Sequence, residues 1–136
     1  MSAFLIVSTA WAVIALALLI VAWWLARTGR TGPHGKIMIL LTAGAWIFIT
    51  NYIFLQRYDG DLGSFPREYV PWMALHGSLG LIPLFGATCL VAGRLMKNRN
   101  RFSVHFNHHH KIYGRTFIVI WCFTHLGGIF NAFFLR

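Results

Sequence analysis

The chain has 136 residues, of which 57% are hydrophobic and only 11% charged, and its mean hydropathy is +0.62. A soluble domain carries about 25% charged residues, so a polar, water-facing shell is excluded and the membrane class follows. Twelve Lys and Arg against three Asp and Glu leave a net charge of +9, but nine of those twelve fall in two short loops and the adjoining helix ends, a pattern of membrane topology rather than of nucleic-acid binding.

Four uncharged apolar runs follow in chain order: Ala3–Ala26, Ile37–Leu55, Val70–Gly93 and Thr116–Leu135. Each has about the 20 residues needed to cross ~30 Å of hydrocarbon. In lipid every backbone polar group must be paired within the segment, so each run is expected to be a helix. A chain of this length makes one domain at most, so residues 1–136 read as a single all-α, four-transmembrane-helix bundle built from two helical hairpins. The first run is longer than the ~7–15 residues of a signal-peptide core and no basic residue precedes it, so it reads as a span rather than a cleavable signal. Trp23 and Trp24 near its end fit an interfacial belt, as do Tyr69 and Trp72 at the start of the third span.

The loops alternate in charge. Loop one, Arg27 to Lys36, carries Arg27, Arg30 and Lys36; loop three, Arg94 to Arg115, carries Arg94, Lys97, Arg99, Arg101, Lys111 and Arg115. Neither holds an acid. Loop two, Gln56 to Tyr69, holds Asp59, Asp61 and Glu68 beside Arg57 and Arg67. The positive-inside rule then expects loops one and three in the cytoplasm and both termini outside. Small residues (Gly77, Gly80, Gly86, Gly127 and Gly128) are expected to let the third and fourth spans approach closely. The second span opens with His34-Gly-Lys-Ile and the fourth with His110-Lys-Ile-Tyr-Gly-Arg, a short internal likeness open to both duplication and coincidence.

Asp, Glu, Lys and Arg are absent from the four runs, which leaves histidine as the readily ionisable polar group inside them. Such groups are costly in lipid and are functional candidates by default. His76 is expected roughly 8 Å inside the outer end of span three and His125 roughly 15 Å inside that of span four, from helix rise. Gly80 lies one turn from His76 and Gly128 one turn from His125, leaving room for a flat macrocycle. The bland alternative is a hydrogen bond from each to Thr50, Asn51, Tyr52, Asn131 or a backbone carbonyl. His34 and His110 form a second set at the cytoplasmic mouths of spans two and four, suited to one metal or haem between them, or else to lipid phosphates. His105, His108 and His109 have metal-binding composition. Adjacent helical residues point about 100° apart, however, so solvated side chains or an adventitious site are expected there.

Haem iron, copper and zinc all take imidazole, and four-helix bundles build such sites between facing helices. Haem b is the leading expectation and copper the alternative. Cys122 and His125 are i,i+3 on one face, and Cys89 is expected near the depth of Cys122, so a metal site of His76, His125 and Cys122 is a further candidate. Buried cysteine is more often a small hydrophobe. No His-Glu-x-x-His, Gly-rich phosphate loop or carboxylate pair occurs, and catalytic residues are not identified.

The pieces His34-Gly-Lys-Ile-Met, Asn51-Tyr52, Leu75-His76 and His110-Lys-Ile-Tyr-Gly-Arg-Thr-Phe-Ile-Val-Ile-Trp121, in that order, resemble the YozB-like family of small prokaryotic membrane proteins. The likeness runs from His34 to the C-terminus. It implies a four-helix fold, a histidine set at His34, His76 and His110, and an association with aerobic respiration, some relatives being linked to maturation of haem–copper terminal oxidases. His125 departs from the family pattern near Thr124, so the resemblance assigns it no role.

Taken together, these residues lead to an expected membrane-embedded, histidine-ligated haem- or metal-binding protein of the respiratory chain, in the inner membrane of a prokaryotic cell. It would use His34, His110 and His76, with His125 completing an outer site, for electron transfer or for haem or copper handling. Membrane lipids, quinone and a terminal oxidase complex are the expected partners. The alternatives are a cofactor-free assembly or structural subunit and a quinone-dependent oxidoreductase.

Overall fold

A computed structural model describes residues 3–59 and 67–134. Among the described residues are five α-helices: α1 (Ala3–Arg27), α2 (Thr31–Asp59), α3 (Val70–Leu95), α4 (Arg101–His108) and α5 (His110–Phe134), with a 3-10 turn at Arg67–Tyr69. α1, α2, α3 and α5 are long and apolar enough to cross a membrane. Half of loop two, residues 60–66 with Asp61, lies outside the described residues, as does Leu135, the expected end of the fourth span.

Two corrections to the sequence reading concern boundaries. Helix is not confined to the apolar runs: α2 begins at Thr31 rather than Ile37, and α5 at His110 rather than Thr116. Apolar length reports what faces lipid, whereas the hydrogen-bonded backbone continues through Thr31–Lys36 and His110–Arg115, which hold nothing that breaks a helix at those positions. Pro33 sits in the first turn of α2, where its missing N–H has no intrahelical partner to lose. The second correction is α4, which occupies the middle of what reads as a basic loop. Asn100 caps it: its side chain accepts from the Ser103 backbone N–H at 2.8 Å, and the Asn100 N–H donates to the Ser103 hydroxyl at 3.2 Å.

The turns at this end have equally local causes. α1 stops because Gly29 takes φ +76°, and the Arg30 N–H reaches back to the Leu25 carbonyl at 2.9 Å, which satisfies an orphan acceptor and reverses the chain into α2. α3 stops at a left-handed pair, Lys97 and Asn98, with φ 48° and 60°. Asn107 of α4 donates to the Asn98 side chain at 2.6 Å and to the Gly93 carbonyl at 2.9 Å, folding α4 back onto α3.

α5 packs against α1 and α3, and α2 packs against the same two helices, so α1 and α3 occupy one diagonal of the bundle and α2 and α5 the other. The shared core is Ala15, Leu19, Leu41, Ala45, Leu84, Ala87 and Trp121, with contributions from all four long helices. On α1 the buried positions Ala12, Ala15, Leu19, Ala22 and Leu25 recur at three- and four-residue spacing, a narrow stripe of mostly small side chains. No more than 28% of any span's apolar window is buried, so the outer surface is apolar, as a lipid-facing bundle requires. Arg27 and Arg30 lie over the rings of Trp23 and Trp24 at 5.3 and 5.5 Å, which joins aromatic belt and basic loop at one end of α1.

Three contacts set the α3–α5 interface. Phe117 seats on Gly86, His76 lies against Gly127 and Gly128, and the Trp72 indole N–H donates to Asn131 at 2.7 Å. Gly77 and Gly80, expected at the same interface, meet nothing within 4 Å of where a Cβ would stand. The two kinds of glycine should therefore respond differently. Gly86→Ala drives a methyl into the Phe117 ring and is expected to destabilise by roughly 1–3 kcal/mol. Gly80→Ala, with open space, is expected to stay within about 0.5 kcal/mol of the parent or to gain slightly from helix propensity. Thermal unfolding in one detergent checks both, and equal effects would refute this account of the interface.

Candidate functional site

His34 and His110 each open a long helix on the α2–α5 diagonal, so their side chains meet across the bundle rather than along a helix seam. Their ring centroids are 6.4 Å apart and their planes are nearly perpendicular, at 87°. The His34 Nδ1–H donates to the Ala22 carbonyl of α1 at 2.9 Å, which fixes the ring and leaves Nε2 as its electron-pair donor. A backbone carbonyl behind one imidazole nitrogen is the usual support of a ligating histidine. His110 Nδ1 is buried with no hydrogen-bond partner. Two bonds of about 2.0 Å to one metal ion, with about 1.1 Å from each nitrogen to its ring centre, span at most about 6.2 Å between imidazole centres. The observed separation is of that size.

Gly114 lies one turn along α5 from His110, is half-buried, and meets nothing within 4 Å of a Cβ position. Arg94, at the end of α3, lies within electrostatic reach of His110. The bond to Ala22 and the buried Nδ1 turn one nitrogen of each ring into the bundle.

The second pair lies near the other end of the bundle. The contacts between Trp72 and Asn131, His76 and Gly127, and Gly86 and Phe117 define one antiparallel register for α3 and α5. In it His125 is level with Ser78, two residues from His76, or about 3 Å along the axis. The sequence estimate of roughly 7 Å was too large because it measured each depth from the end of an apolar run rather than from the interface. Trp72 stacks with His76 at 6.5 Å and 28°, and Trp121 with His125 at 6.3 Å and 19°. His125 Nε2 is buried without a partner. Two of the polar residues expected to satisfy this pair are engaged elsewhere: Asn131 accepts from Trp72, and Asn51 donates to the Ile47 carbonyl of its own helix.

The same register separates the cysteines. Cys122 is level with Leu81 and Cys89 with Gly114, about 12 Å apart along the axis, so they do not share a depth. Both are half-buried free thiols, and Cys122 packs against the core. Among the described residues no group of three or more His, Cys, Asp or Glu side chains is placed to hold a metal ion.

Sequence reasoning missed a ring ladder at the basic-loop end. His105, His109, Tyr113 and Phe117 are spaced by four, and consecutive rings lie 4.6, 5.6 and 6.1 Å apart. The His105 Nε2 meets the Tyr113 hydroxyl at 3.0 Å, and the His109 Nδ1–H donates to the His105 carbonyl at 3.0 Å. Four-residue spacing was the available signal, obscured by reading the segment as a loop. His105, His108 and His109 border an open hollow beside Arg101. His105 and His108 are exposed. Compared with known protein families, curated proteins and solved structures, the chain matches none.

Proposed function

We propose that this chain is a membrane-embedded haem- or metal-binding protein whose centre lies between His34 and His110. The observation that carries the reading is the pair itself: two imidazoles from diagonal helices, 6.4 Å apart, one held by a backbone carbonyl and the other with a buried, unpartnered nitrogen. Left without a ligand, that nitrogen costs about 1–3 kcal/mol. Haem b is the leading group, on the open space at Gly114 and the cation at Arg94; copper is the alternative.

Bound there, haem iron or copper would supply one-electron chemistry or be held for transfer. The protein's own part is mechanical and electrostatic. His34 presents Nε2 because Ala22 holds its other nitrogen, the paired helices set the spacing, and Arg94 balances negative charge. The resemblance of the His34 and His110 segments to YozB-like proteins supports a place in the respiratory chain, either in electron transfer or in handling haem or copper for an oxidase. The basic residues around α1–α2 and α4 support an orientation with that end in the cytoplasm of a prokaryotic cell and both termini outside.

A second reading is favoured by one bond. The His34 contact with Ala22 ties α2 to α1 and would serve a cofactor-free assembly subunit equally well. The two readings separate by spectroscopy. Detergent-purified protein, grown with sufficient haem and copper, is expected to show a Soret band with sharp reduced α and β bands, or else stoichiometric copper. His110→Ala should lose most of that signal while keeping the bundle folded. A colourless, metal-free parent protein would leave the assembly reading standing. Gly114→Leu then distinguishes the groups: its Cβ would meet no neighbour within 4 Å, and the side chain is expected to fill the space a macrocycle needs. Haem content is expected to fall at least tenfold, whereas copper content would be unchanged.

A further inference from the structure

One face of α4 borders an open hollow of about 400 Å³, lined by Arg101, Val104, His105 and His108 together with His109 at the helix end. The first four recur at i, i+3, i+4 and i+7, so a single stripe of the helix supplies them. The other side of α4 is turned to α3. Phe106 and Ser103 lie against Gly93, and the Asn107 amide donates to the Gly93 carbonyl at 2.9 Å. Two of the rings at the hollow are held in place, His105 by the Tyr113 hydroxyl and His109 by the His105 carbonyl.

Depth and charge decide what fills it. Gly93 is two residues from Leu95, where the apolar α3 span ends. Its contacts therefore pin α4 at the level where hydrocarbon gives way to lipid headgroups. Val104 is 50% exposed at the hollow, so an occupant meets an apolar side chain beside a guanidinium and three imidazoles. A phospholipid fills any open surface at this level by default, and the charge around the hollow selects its headgroup. Loops one and three place nine of the twelve basic residues at this end, whereas all three acids fall in loop two, which joins α2 to α3 at the other. A zwitterionic headgroup would bring its ammonium into that excess of positive charge. A net-negative headgroup meets attraction alone, and the Arg101 guanidinium suits two phosphate oxygens at once. A metal cation fits less well. Arg101 fixes a positive charge in the same hollow, and among the described residues no three ligating side chains are placed to hold an ion.

We propose that this hollow binds the phosphate headgroup of an anionic phospholipid, with Arg101 as its charged partner, the three imidazoles as its polar wall and Val104 against the start of the acyl chains. The site uses neither His34 nor His110, so it holds whether or not the centre between them is occupied.

The test is native mass spectrometry of the full chain in detergent micelles with equimolar phosphatidylglycerol and phosphatidylcholine of identical acyl chains. Phosphatidylglycerol is expected to be retained in preference, and Arg101→Gln should lower its retention roughly fivefold, the effect of one interfacial charge. Val104→Glu, which sets a carboxylate in the hollow at an exposed position, should lower it at least as far. A Lys111→Gln, Arg115→Gln double variant removes two exposed charges from the same end outside the hollow and should leave retention nearly unchanged. A loss in that double variant equal to the loss in Arg101→Gln would overturn the proposal in favour of diffuse attraction to the whole basic end. Equal retention of the two lipids would overturn it outright. Displacement of phosphatidylglycerol by excess inorganic phosphate would overturn it in favour of a free-phosphate site.

Discussion

The seating of α5 on α3 is the constraint from which the rest follows. In lipid, burying an apolar side chain between helices gains little, because the alternative surroundings are equally apolar; association depends on close fit. Here fit means rings against bare backbone: Phe117 on Gly86 and His76 on Gly127. α1 and α2 use the same device, with Trp11 against Gly44 and stacked on Phe48 at 6.2 Å. Each ring on a glycine fixes a register as well as a distance. A one-residue slip of α5 would lift Phe117 from its seat and rotate His110 and His125 away from their partners together. The packing of this helix and the geometry of both histidine pairs are one problem with one solution.

That dependence explains what was legible in the sequence. Four long apolar runs set the number of spanning helices, since length and absence of charge are enough in a solvent that forbids unpaired backbone. His76 and His125 stood out for the same reason, as the ionisable groups left inside those runs. What the runs did not contain was register. Depth counted from the edge of an apolar run made His76 and His125 a mismatched pair and made Cys89 and Cys122 neighbours; the glycine contacts reverse both conclusions. Nor did composition distinguish Gly86 and Gly127, which are packed upon, from Gly77 and Gly80, which are not. Helix α4 was hidden because its residues are polar and basic, although Asn100 and Ser103 at cap spacing and the four-residue recurrence of His105, His109 and Tyr113 were present to be read.

The two ends of the bundle share a design. Each holds one histidine from α5 and one from another helix, α2 across the diagonal at one end and α3 alongside at the other, and in each the α5 histidine carries the unpartnered buried nitrogen. His110 and His125 are fifteen residues apart, about 22 Å along the helix. Both unpartnered nitrogens thus belong to one helix that α1 and α3 hold from two sides.

The fold alone does not account equally for the four histidines. His34 contributes to the bundle, because its bond to the Ala22 carbonyl joins two helices across a region where a satisfied polar contact stabilises. His76 contributes as a flat filler between Trp72 and the glycine surface. His110 and His125 contribute the least, since a leucine or phenylalanine would pack at these depths without leaving a nitrogen desolvated and unpaired. A buried polar group that weakens the fold by about 1–3 kcal/mol asks for a reason outside the fold. At both positions that group is a ring nitrogen with no hydrogen-bond partner on any helix.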